Sequence, residues 1–244
     1  MFSPNYNYNT NVEAGYATES MDNAFSDKAI RMGFIRKVYG IICIQLVVTM
    51  GFALVFSTSD STKMFLVKNT WILIVTLILS IICMIGLTCC GLARSYPLNM
   101  ICLSIFTLCM ATTVGMSCAF RSGDVVLMAV VMTTIIVVGL TIFAFQTKID
   151  FTMISGIMFV VILVFCVFGI VAMFWQNKIV HIIYSAGGTL IFSIYLVIDT
   201  QLLVGGKRSE LSPEDYVLGA LMIYMDIINI FLHLLRLIEL LKSD

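Results

Sequence analysis

Long runs of apolar residues recur along most of the chain, and a few charged or polar residues separate each run from the next. Each run has the length that an α-helix needs to cross the hydrocarbon core of a bilayer, about 20 residues. The pattern predicts seven membrane spans, at about Val38 to Phe56, Trp71 to Leu92, Leu98 to Phe120, Val125 to Phe145, Phe151 to Phe174, Ile179 to Leu203, and Tyr216 to about Ile238. Because the loops are short, consecutive spans should pack side by side in an all-α integral membrane bundle.

Basic residues predict the orientation of the bundle, since Lys and Arg are retained preferentially on the cytosolic side. A cytosolic N-terminus places eight basic residues in cytosolic segments and four on the opposite side. The first set is Lys28, Arg31, Arg36, Lys37, Arg94, Lys148, Lys207 and Arg208, and the second is Lys63, Lys68, Arg121 and Lys178. Arg236 and Lys242 near the C-terminus leave an alternative open, namely six spans plus a re-entrant last segment that returns to the cytosol.

Composition sets further limits. Hydrophobic residues make up 60% of the chain and charged residues 11%, against roughly a quarter charged in a soluble domain. The formal net charge is zero and no basic block occurs, so nucleic acid is not expected as a partner. Nearly all of the eight cysteines fall inside apolar runs, which favours packing roles, and no zinc-like spacing surrounds the adjacent Cys89 and Cys90. No cofactor is predicted.

Residues 1–28 differ from the rest of the chain in being rich in Asn, Tyr, Ser and acidic residues. They contain no apolar signal-peptide core, so no cleavable signal peptide is expected. Their low aliphatic content favours a disordered cytosolic tail, with a docking motif for a cytosolic partner as the alternative. The predicted organisation is therefore a tail at 1–28 and one seven-span membrane domain at 29–244.

Two acidic residues lie well inside apolar spans, Asp199 in the sixth and Asp226 in the seventh. A carboxylate at mid-membrane costs at least ~2.5 kcal/mol, so such residues usually face the bundle interior and mark an ion or proton route. Asp199 lies within roughly two turns of the cytosolic end of its span. The capping pattern Ser212-Pro213-Glu214-Asp215 marks the start of the last helix, which puts Asp226 ~20 Å along it, near the bilayer centre.

The last span carries three more polar residues on the face of Asp226. Asn229, His233 and Arg236 follow it by three, seven and ten residues, which is helical spacing. One interpretation is a hydrated path in which Asn229 and His233 line a pore. The other is that His233 and Arg236 extend to the membrane interface, as His181 at the end of the sixth span is expected to do.

If Asp199 and Asp226 approach each other at low dielectric, both cannot easily ionise. They are then expected to titrate as a coupled pair that retains one proton to higher pH. Such a pair would bind a hard cation when deprotonated, which predicts pH-dependent permeation. Arg94, at the cytosolic end of the second span, is the nearest candidate counter-charge, and an ordinary cytosolic anchor is its alternative interpretation.

Six short motifs, in order along the chain from about Ile30 onward, identify a resemblance to a known family. They are RMGFIRKVYG at 31–40, YPLN at 96–99, FQTKIDFT at 145–152, IDTQ at 198–201, LSPEDY at 211–216 and YMDIIN at 224–229. Together they resemble the lifeguard branch of the transmembrane Bax inhibitor motif family. Six motifs in the same order make the resemblance specific.

The resemblance implies a seven-helix fold with the last helix at its centre, and a calcium leak from internal stores that protects cells from apoptosis. The family's functional aspartates match Asp199 and Asp226, which would bind calcium transiently as the permeant ion, and its regulating arginine matches Arg94 as a latch. Lifeguard proteins often have a second basic residue there, whereas this chain has Ser95. The long Pro/Gly/Tyr-rich tail of many lifeguard proteins is also missing.

The resemblance further implies an endoplasmic reticulum or Golgi membrane, with the plasma membrane as an alternative, and apoptotic regulators or other membrane proteins as partners besides the bilayer. Three other functions use the same residues. An intramembrane aspartyl protease is disfavoured because Ile223-Tyr224-Met225 precedes Asp226 where such enzymes have Gly-x-Gly. A proton-coupled antiporter would show saturable exchange. A non-conducting adaptor would retain protection when Asp226 is replaced by Asn.

Overall fold

The fold was analysed in a computed structural model that describes residues 27–175 and 177–243, together with the backbone of the first helix back to Asn7. Every regular element in this part of the chain is helical. The helices are α1 (Asn7–Thr58), α2 (Asp60–Lys68), α3 (Trp71–Cys89), α4 (Leu98–Ala119), α5 (Gly123–Gln146), α6 (Ser155–Phe174), α7 (Lys178–Val204) and α8 (Tyr216–Lys242). The predicted disordered tail at 1–28 lies almost wholly outside the residues whose side chains are described, and it stays a prediction.

The seven predicted spans are confirmed. Within the described residues, seven helical segments are long and apolar enough to cross a membrane, from Asp27–Thr58 at one end of the chain to Pro213–Lys242 at the other. Only the short α2, which connects the first two spans, falls outside this set. The protein is therefore a multi-pass membrane protein.

Some helix ends differ from the predicted span ends by a turn. The second predicted span continued to Leu92, but α3 ends at Cys89 because Gly91 adopts a left-handed conformation with φ of 69°. Short 3-10 turns form at Leu92–Arg94, Phe151–Ile154 and Pro213–Asp215. The hydropathy pattern assigned Leu92 and Phe151–Ile154 to spans and the other residues of these turns to loops. Apolar runs locate helices well but do not report how the last turn is wound.

Helix α8 is the centre of the bundle, as the family resemblance implied. It packs against α1, α4, α5 and α7, and Tyr224, Ile230 and Leu235 along it are fully buried. Its 27 residues form one unbroken helix, so the chain does not turn back inside this segment. The alternative of six spans plus a re-entrant last segment is therefore wrong, because a re-entrant segment must reverse its direction inside the membrane and α8 does not.

The other helices form two layers around α8. Helices α1, α3, α4 and α5 enclose one buried cluster with α8, and α1 and α7 enclose a second with its adjacent face. Helices α3 and α6 lie at the periphery, where α3 packs mainly on α4 and α6 mainly on α7. Their outer faces expose large aliphatic side chains such as Ile81 and Val164, as expected of surfaces that face lipid.

Two hydrogen bonds between buried polar side chains connect α1 to its neighbours. The Gln45 amide donates to the Thr107 hydroxyl of α4 at 2.8 Å, and the hydroxyl oxygens of Thr49 and Tyr224 on α8 are 2.8 Å apart. Inside a membrane these side chains have no water to bind, so a neighbouring helix supplies the partner in each of the two hydrogen bonds. The pairs specify how α1 is rotated against α4 and α8.

Small residues allow α7 and α8 to approach closely. A Cβ added at Gly188 of α7 would lie 2.5 Å from the imidazole ring of His233 on α8, whereas one added at the preceding Gly187 would meet the Phe165 ring at an ordinary 3.8 Å. We therefore expect Gly188→Ala to lower the free energy of unfolding by about 1–3 kcal/mol, the usual cost of overpacking. Thermal unfolding in detergent measures it, and Gly187→Ala is the matched control. Equal stability of the two variants would contradict the close packing of these helices.

Candidate ion site

The two intramembrane aspartates meet at the contact between α7 and α8. Asp199 lies five residues before the end of α7 and Asp226 lies ten residues after the start of α8. Both side chains face the bundle interior, where Asp199 is 7% exposed and Asp226 5%. Their carboxyl groups are close enough to interact with each other. The structure therefore brings together the two residues that the sequence analysis selected.

A direct hydrogen bond between two carboxyl groups requires a proton between them, because an ionised carboxylate only accepts. Two buried carboxyl groups at close range therefore favour a state that shares one proton. The Oδ2 atom of Asp226 is buried and has no hydrogen-bond partner among the described residues. One carboxylate oxygen thus remains available to a proton or a cation inside the bundle.

Other buried oxygen atoms lie on the helices that enclose the pair. The hydroxyl groups of Thr133 on α5 and Ser185 on α7 are buried without a partner in the described part of the chain, and those of Tyr39 on α1 and Thr200 on α7 are buried beside each other. Buried polar groups without a hydrogen bond are uncommon in native proteins and point to water, an ion or a functional role. These oxygens make the surroundings of α8 more polar than the apolar composition of the spans suggests.

Residues next to Asp199 attach α7 to the connection between α5 and α6. The side-chain amide of Gln201 donates to the Ile149 carbonyl at 2.9 Å, and its carbonyl oxygen accepts from the Phe151 amide at 2.8 Å. One turn before Asp199, the Tyr195 hydroxyl donates to the Met158 carbonyl of α6 at 2.7 Å. The helix that carries Asp199 is therefore held on both sides of the aspartate.

A second set of contacts joins the connection between α5 and α6 to the segment that follows α7. The ammonium group of Lys207 donates to the carbonyls of Thr147 and Lys148, and the Asp150 carboxylate accepts from the Arg208 amide and from Thr152. The hydrogen bond from the Thr152 hydroxyl is the main reason that the pKa of Asp150 is lowered. The FQTKIDFT and IDTQ motifs thus belong to one contact region at this end of the bundle.

Arg94 binds an acidic residue that the sequence analysis did not assign to it. Its guanidinium makes two hydrogen bonds to the Asp215 carboxylate, from Nε to Oδ1 at 2.7 Å and from Nη2 to Oδ2 at 2.8 Å. This partner raises the pKa of Arg94. Arg94 is therefore the counter-charge of Asp215, at the start of the last helix, and not of the Asp199–Asp226 pair in this conformation. Its role as a latch stays a prediction.

The polar face of α8 predicted from the sequence, which runs from Asp226 through Asn229 and His233 to Arg236, is interrupted beyond Asp226. The Asn229 amide donates to the Met225 carbonyl of its own helix at 2.8 Å. The His233 ring is surrounded by the rings of Phe165, Tyr184 and Phe192, with centroids 5.4–5.7 Å away. An open path along Asn229 and His233 would therefore require these aromatic rings to move.

Beyond His233, the last residue of the polar face turns towards α7. Nη2 of Arg236 lies 2.9 Å from Nδ1 of His181, near the opposite end of the bundle from Arg94. The interpretation of His181 and Arg236 as residues of the membrane interface is compatible with this position. The pair joins α7 to α8 at the end remote from the aspartates.

At the end of the bundle that contains Arg94, sequence reasoning missed the role of Arg31. Its guanidinium donates to three backbone carbonyls, those of Leu202, Val204 and Leu211, at 2.6–3.0 Å. The last carbonyls of a helix lack intrahelical partners, so Arg31 caps the C-terminus of α7. Its position in the motif RMGFIRKVYG was the available signal, but a backbone partner more than 170 positions away cannot be read from a motif.

No group of three or more His, Cys, Asp or Glu side chains that could hold a metal ion occurs among the described residues. Two carboxyl groups provide at most four oxygen atoms, whereas calcium takes six to eight oxygen ligands. The aspartate pair therefore suits transient contact with a passing cation better than permanent binding.

A seven-span helical bundle whose central helix contributes to a buried acidic pair defines the class of polytopic membrane proteins with an intramembrane ionisable site. Residues 31–243 match the family described as "Inhibitor of apoptosis-promoting Bax1", and the chain belongs to this family.

Individual relatives agree with this assignment. The chain is 34% identical to "Protein lifeguard 3" of Mus musculus over 240 residues, which cover 96% of this chain and 78% of that protein. It is 36% identical to the Homo sapiens protein of the same name over 218 residues, or 87% and 70% of the two chains. It is also 36% identical to the "Golgi anti-apoptotic protein" of Vaccinia virus (strain Lister) over 211 residues, which are 86% of each chain. The resemblance to the lifeguard branch is thereby confirmed.

Proposed function

We propose that this protein is a pH-sensitive calcium leak channel of an intracellular membrane, and that it inhibits apoptosis by lowering store calcium. The observation that carries the proposal is the contact between the buried carboxyl groups of Asp199 and Asp226 at the centre of the bundle. An acidic pair of this kind is costly in a membrane and is retained where an ion or proton must pass. Membership in a family described as an inhibitor of apoptosis-promoting Bax1 supports the cellular part of the proposal.

The chemistry of the pair suits a hard cation. Carboxylate oxygens are the ligands that calcium prefers, and the unpartnered Oδ2 of Asp226 offers one without breaking another bond. An incomplete ligand set gives weak binding, which conduction requires because an ion that binds tightly does not leave. The buried hydroxyl groups of Tyr39, Thr133 and Thr200 would supply further oxygen ligands along the route.

Protonation then controls the route. With one shared proton the two carboxyl groups hold α7 against α8. When that proton leaves, two like charges adjoin each other in a medium of low dielectric and repel. Deprotonation would separate the helices and at the same time create the cation site, so we expect calcium flux to increase as pH rises.

Calcium efflux from proteoliposomes that contain the purified protein tests the proposal, with the pH varied from about 5 to about 8. The wild type should leak calcium above empty liposomes, more at high pH. The double variant Asp199→Asn, Asp226→Asn should lose the pH dependence. No wild-type flux at any pH would refute the channel and favour a non-conducting adaptor, and saturable exchange against a proton gradient would favour an antiporter.

Arg94 would act as a latch at the end of this route. Its two hydrogen bonds to Asp215 hold the start of α8 against the segment between α3 and α4. If the pair stabilises a closed state, Arg94→Gln should raise calcium flux at every pH without removing the pH dependence. Lys148→Gln, which removes an exposed positive charge from the same end of the bundle, is the matched control. Equal flux of Arg94→Gln and the wild type would refute the latch.

The membrane and the orientation are part of the same proposal. A viral relative is named "Golgi anti-apoptotic protein", which supports a Golgi membrane for this chain, with the endoplasmic reticulum as the alternative compartment. The excess of basic residues at the end of the bundle that contains Arg31 and Arg94 supports a cytosolic N-terminus. Immunofluorescence after selective permeabilisation, with an epitope at the N-terminus, tests both statements.

A further inference from the structure

Two adjacent cysteines have an environment that the packing interpretation does not explain. Cys83, Cys109 and Cys118 are buried, as expected of small hydrophobic side chains, but Cys89 and Cys90 are both exposed with free thiols. Cys89 is the last residue of α3 and Cys90 is its C-cap. Packing thus accounts for the first three cysteines and not for this pair.

The end of the apolar span Trp71–Cys89 puts both thiols near the expected boundary between membrane and water. Helix α3 has 19 residues, which is about the length that crosses the hydrocarbon core, and it ends where Gly91 turns the chain. The 3-10 turn Leu92–Arg94, which ends with a charged residue, follows Gly91. A fatty acyl group attached here would have its carbonyl end near the interface and its hydrocarbon chain free to enter the bilayer.

The outer face of α3 continues the position of Cys89 into the bilayer. Ile78, Ile82 and Ile85 precede it by eleven, seven and four residues, which is helical spacing, and each is about half exposed. The opposite face, which includes Cys83 and Leu87, is buried in the cluster that α3 shares with α4. A hydrocarbon chain that extends from Cys89 would therefore lie along an aliphatic stripe without displacing any protein contact.

The distribution of basic residues favours the approach of an acyl donor to this end of the bundle. Eight of the twelve basic residues in the loops and flanking segments belong to this end by the positive-inside rule. Long-chain acyl-coenzyme A is a thioester with several phosphate groups, and it is made available on the cytosolic side. Juxtamembrane cysteines are typical positions of reversible S-acylation.

We propose that Cys89 and Cys90 are S-acylated with long-chain fatty acyl groups from acyl-coenzyme A by a membrane acyltransferase. In each transfer the cysteine sulfur attacks the thioester carbonyl carbon, a new carbon–sulfur bond forms, and the bond to the coenzyme A sulfur breaks. Coenzyme A leaves as a thiol with the proton from the cysteine, so no oxidant or reductant is consumed. The modification anchors the Cys89 end of the peripheral helix α3 more firmly in the adjacent leaflet and does not depend on the calcium leak.

Acyl exchange on the full-length protein from cells tests the proposal. Free thiols are blocked, thioesters are cleaved with neutral hydroxylamine, and each released thiol is labelled with a polyethylene-glycol maleimide that adds one mass step. The wild type should show two hydroxylamine-dependent steps, each single variant, Cys89→Ser or Cys90→Ser, one step, and the double variant none. Absence of any step in the wild type would overturn the proposal, as would steps that persist in the double variant.

The chain provides its own control. Cys43 and Cys166 are also exposed, but they lie within α1 and α6, away from the helix ends. The double variant Cys43→Ser, Cys166→Ser has the same number of cysteines as Cys89→Ser, Cys90→Ser and should keep both mass steps. Loss of the steps in this control would overturn the assignment to Cys89 and Cys90. Because no step of the assay measures ions, its result is independent of the result for the aspartate pair.

Discussion

Replacing Asp226 with asparagine is expected to abolish the pH dependence of calcium flux. The asparagine amide donates a hydrogen bond to the Asp199 carboxylate at every pH, so the contact between α7 and α8 no longer requires a shared proton. In the wild type, a one-proton equilibrium changes the ratio of its two states by about tenfold per pH unit, which sets the largest slope that the flux can show. The variant should have a flat profile over the same interval.

The measurement compares calcium efflux from proteoliposomes at several pH values for the wild type, Asp226→Asn and Asp124→Asn. Asp124 is an exposed carboxylate in the first turn of α5, outside the aspartate pair, so its replacement should leave the pH profile unchanged. A pH profile in Asp226→Asn that equals the wild-type profile would show that another group senses protons. A flat profile in Asp124→Asn would point to a general effect of surface charge.

Replacing Arg31 with alanine is expected to lower the free energy of unfolding by about 3 kcal/mol. The guanidinium donates to three backbone carbonyls near the end of α7, and hydrogen bonds from charged groups contribute about 1.5–3 kcal/mol each without adding fully. The Arg31 side chain is only 17% exposed, so water cannot easily replace it as a donor to Leu202 or Val204. The segment between α7 and α8 should loosen first.

Thermal unfolding in detergent measures this loss, and hydrogen exchange of the amides between Gly205 and Ser212 locates it. Arg36→Ala is the matched control, because Arg36 is an exposed arginine of the same helix one and a half turns further on. Arg31→Lys should recover only part of the stability, since an ammonium group cannot reach three carbonyls with the planar fork of a guanidinium. If Arg31→Ala were as stable as Arg36→Ala, the capping role would be refuted.

Much of the fold could be predicted because a membrane imposes a simple rule on sequence. Each span must be a helix of about 20 apolar residues, so the seven runs beginning near Val38 predict seven helices without knowledge of their packing. The same rule makes an acidic residue conspicuous, and it selected Asp199 and Asp226 as the candidate site. The order of the six motifs identified the family by resemblance.

The contact between the two aspartates could not be derived in this way. Counted along the helices, Asp199 lies ~8 Å from the end of α7 and Asp226 lies ~15 Å from the start of α8, so equal depth was not implied. The relative height of two neighbouring helices depends on their connecting segment. Here Arg31, Glu210 and the 3-10 turn at Pro213–Asp215 determine its path.

The sequence by itself determined the number of spans, the membrane class and the two buried carboxyl groups, because hydropathy and charge are properties of single residues. Only the tertiary structure decided which groups meet: Arg94 with Asp215, Arg31 with the end of α7, and the His233 ring with three aromatic rings. It also decided that Cys89 is exposed while Cys83 is buried on the same helix. Such pairings depend on helix rotation and register, which many distant contacts set together.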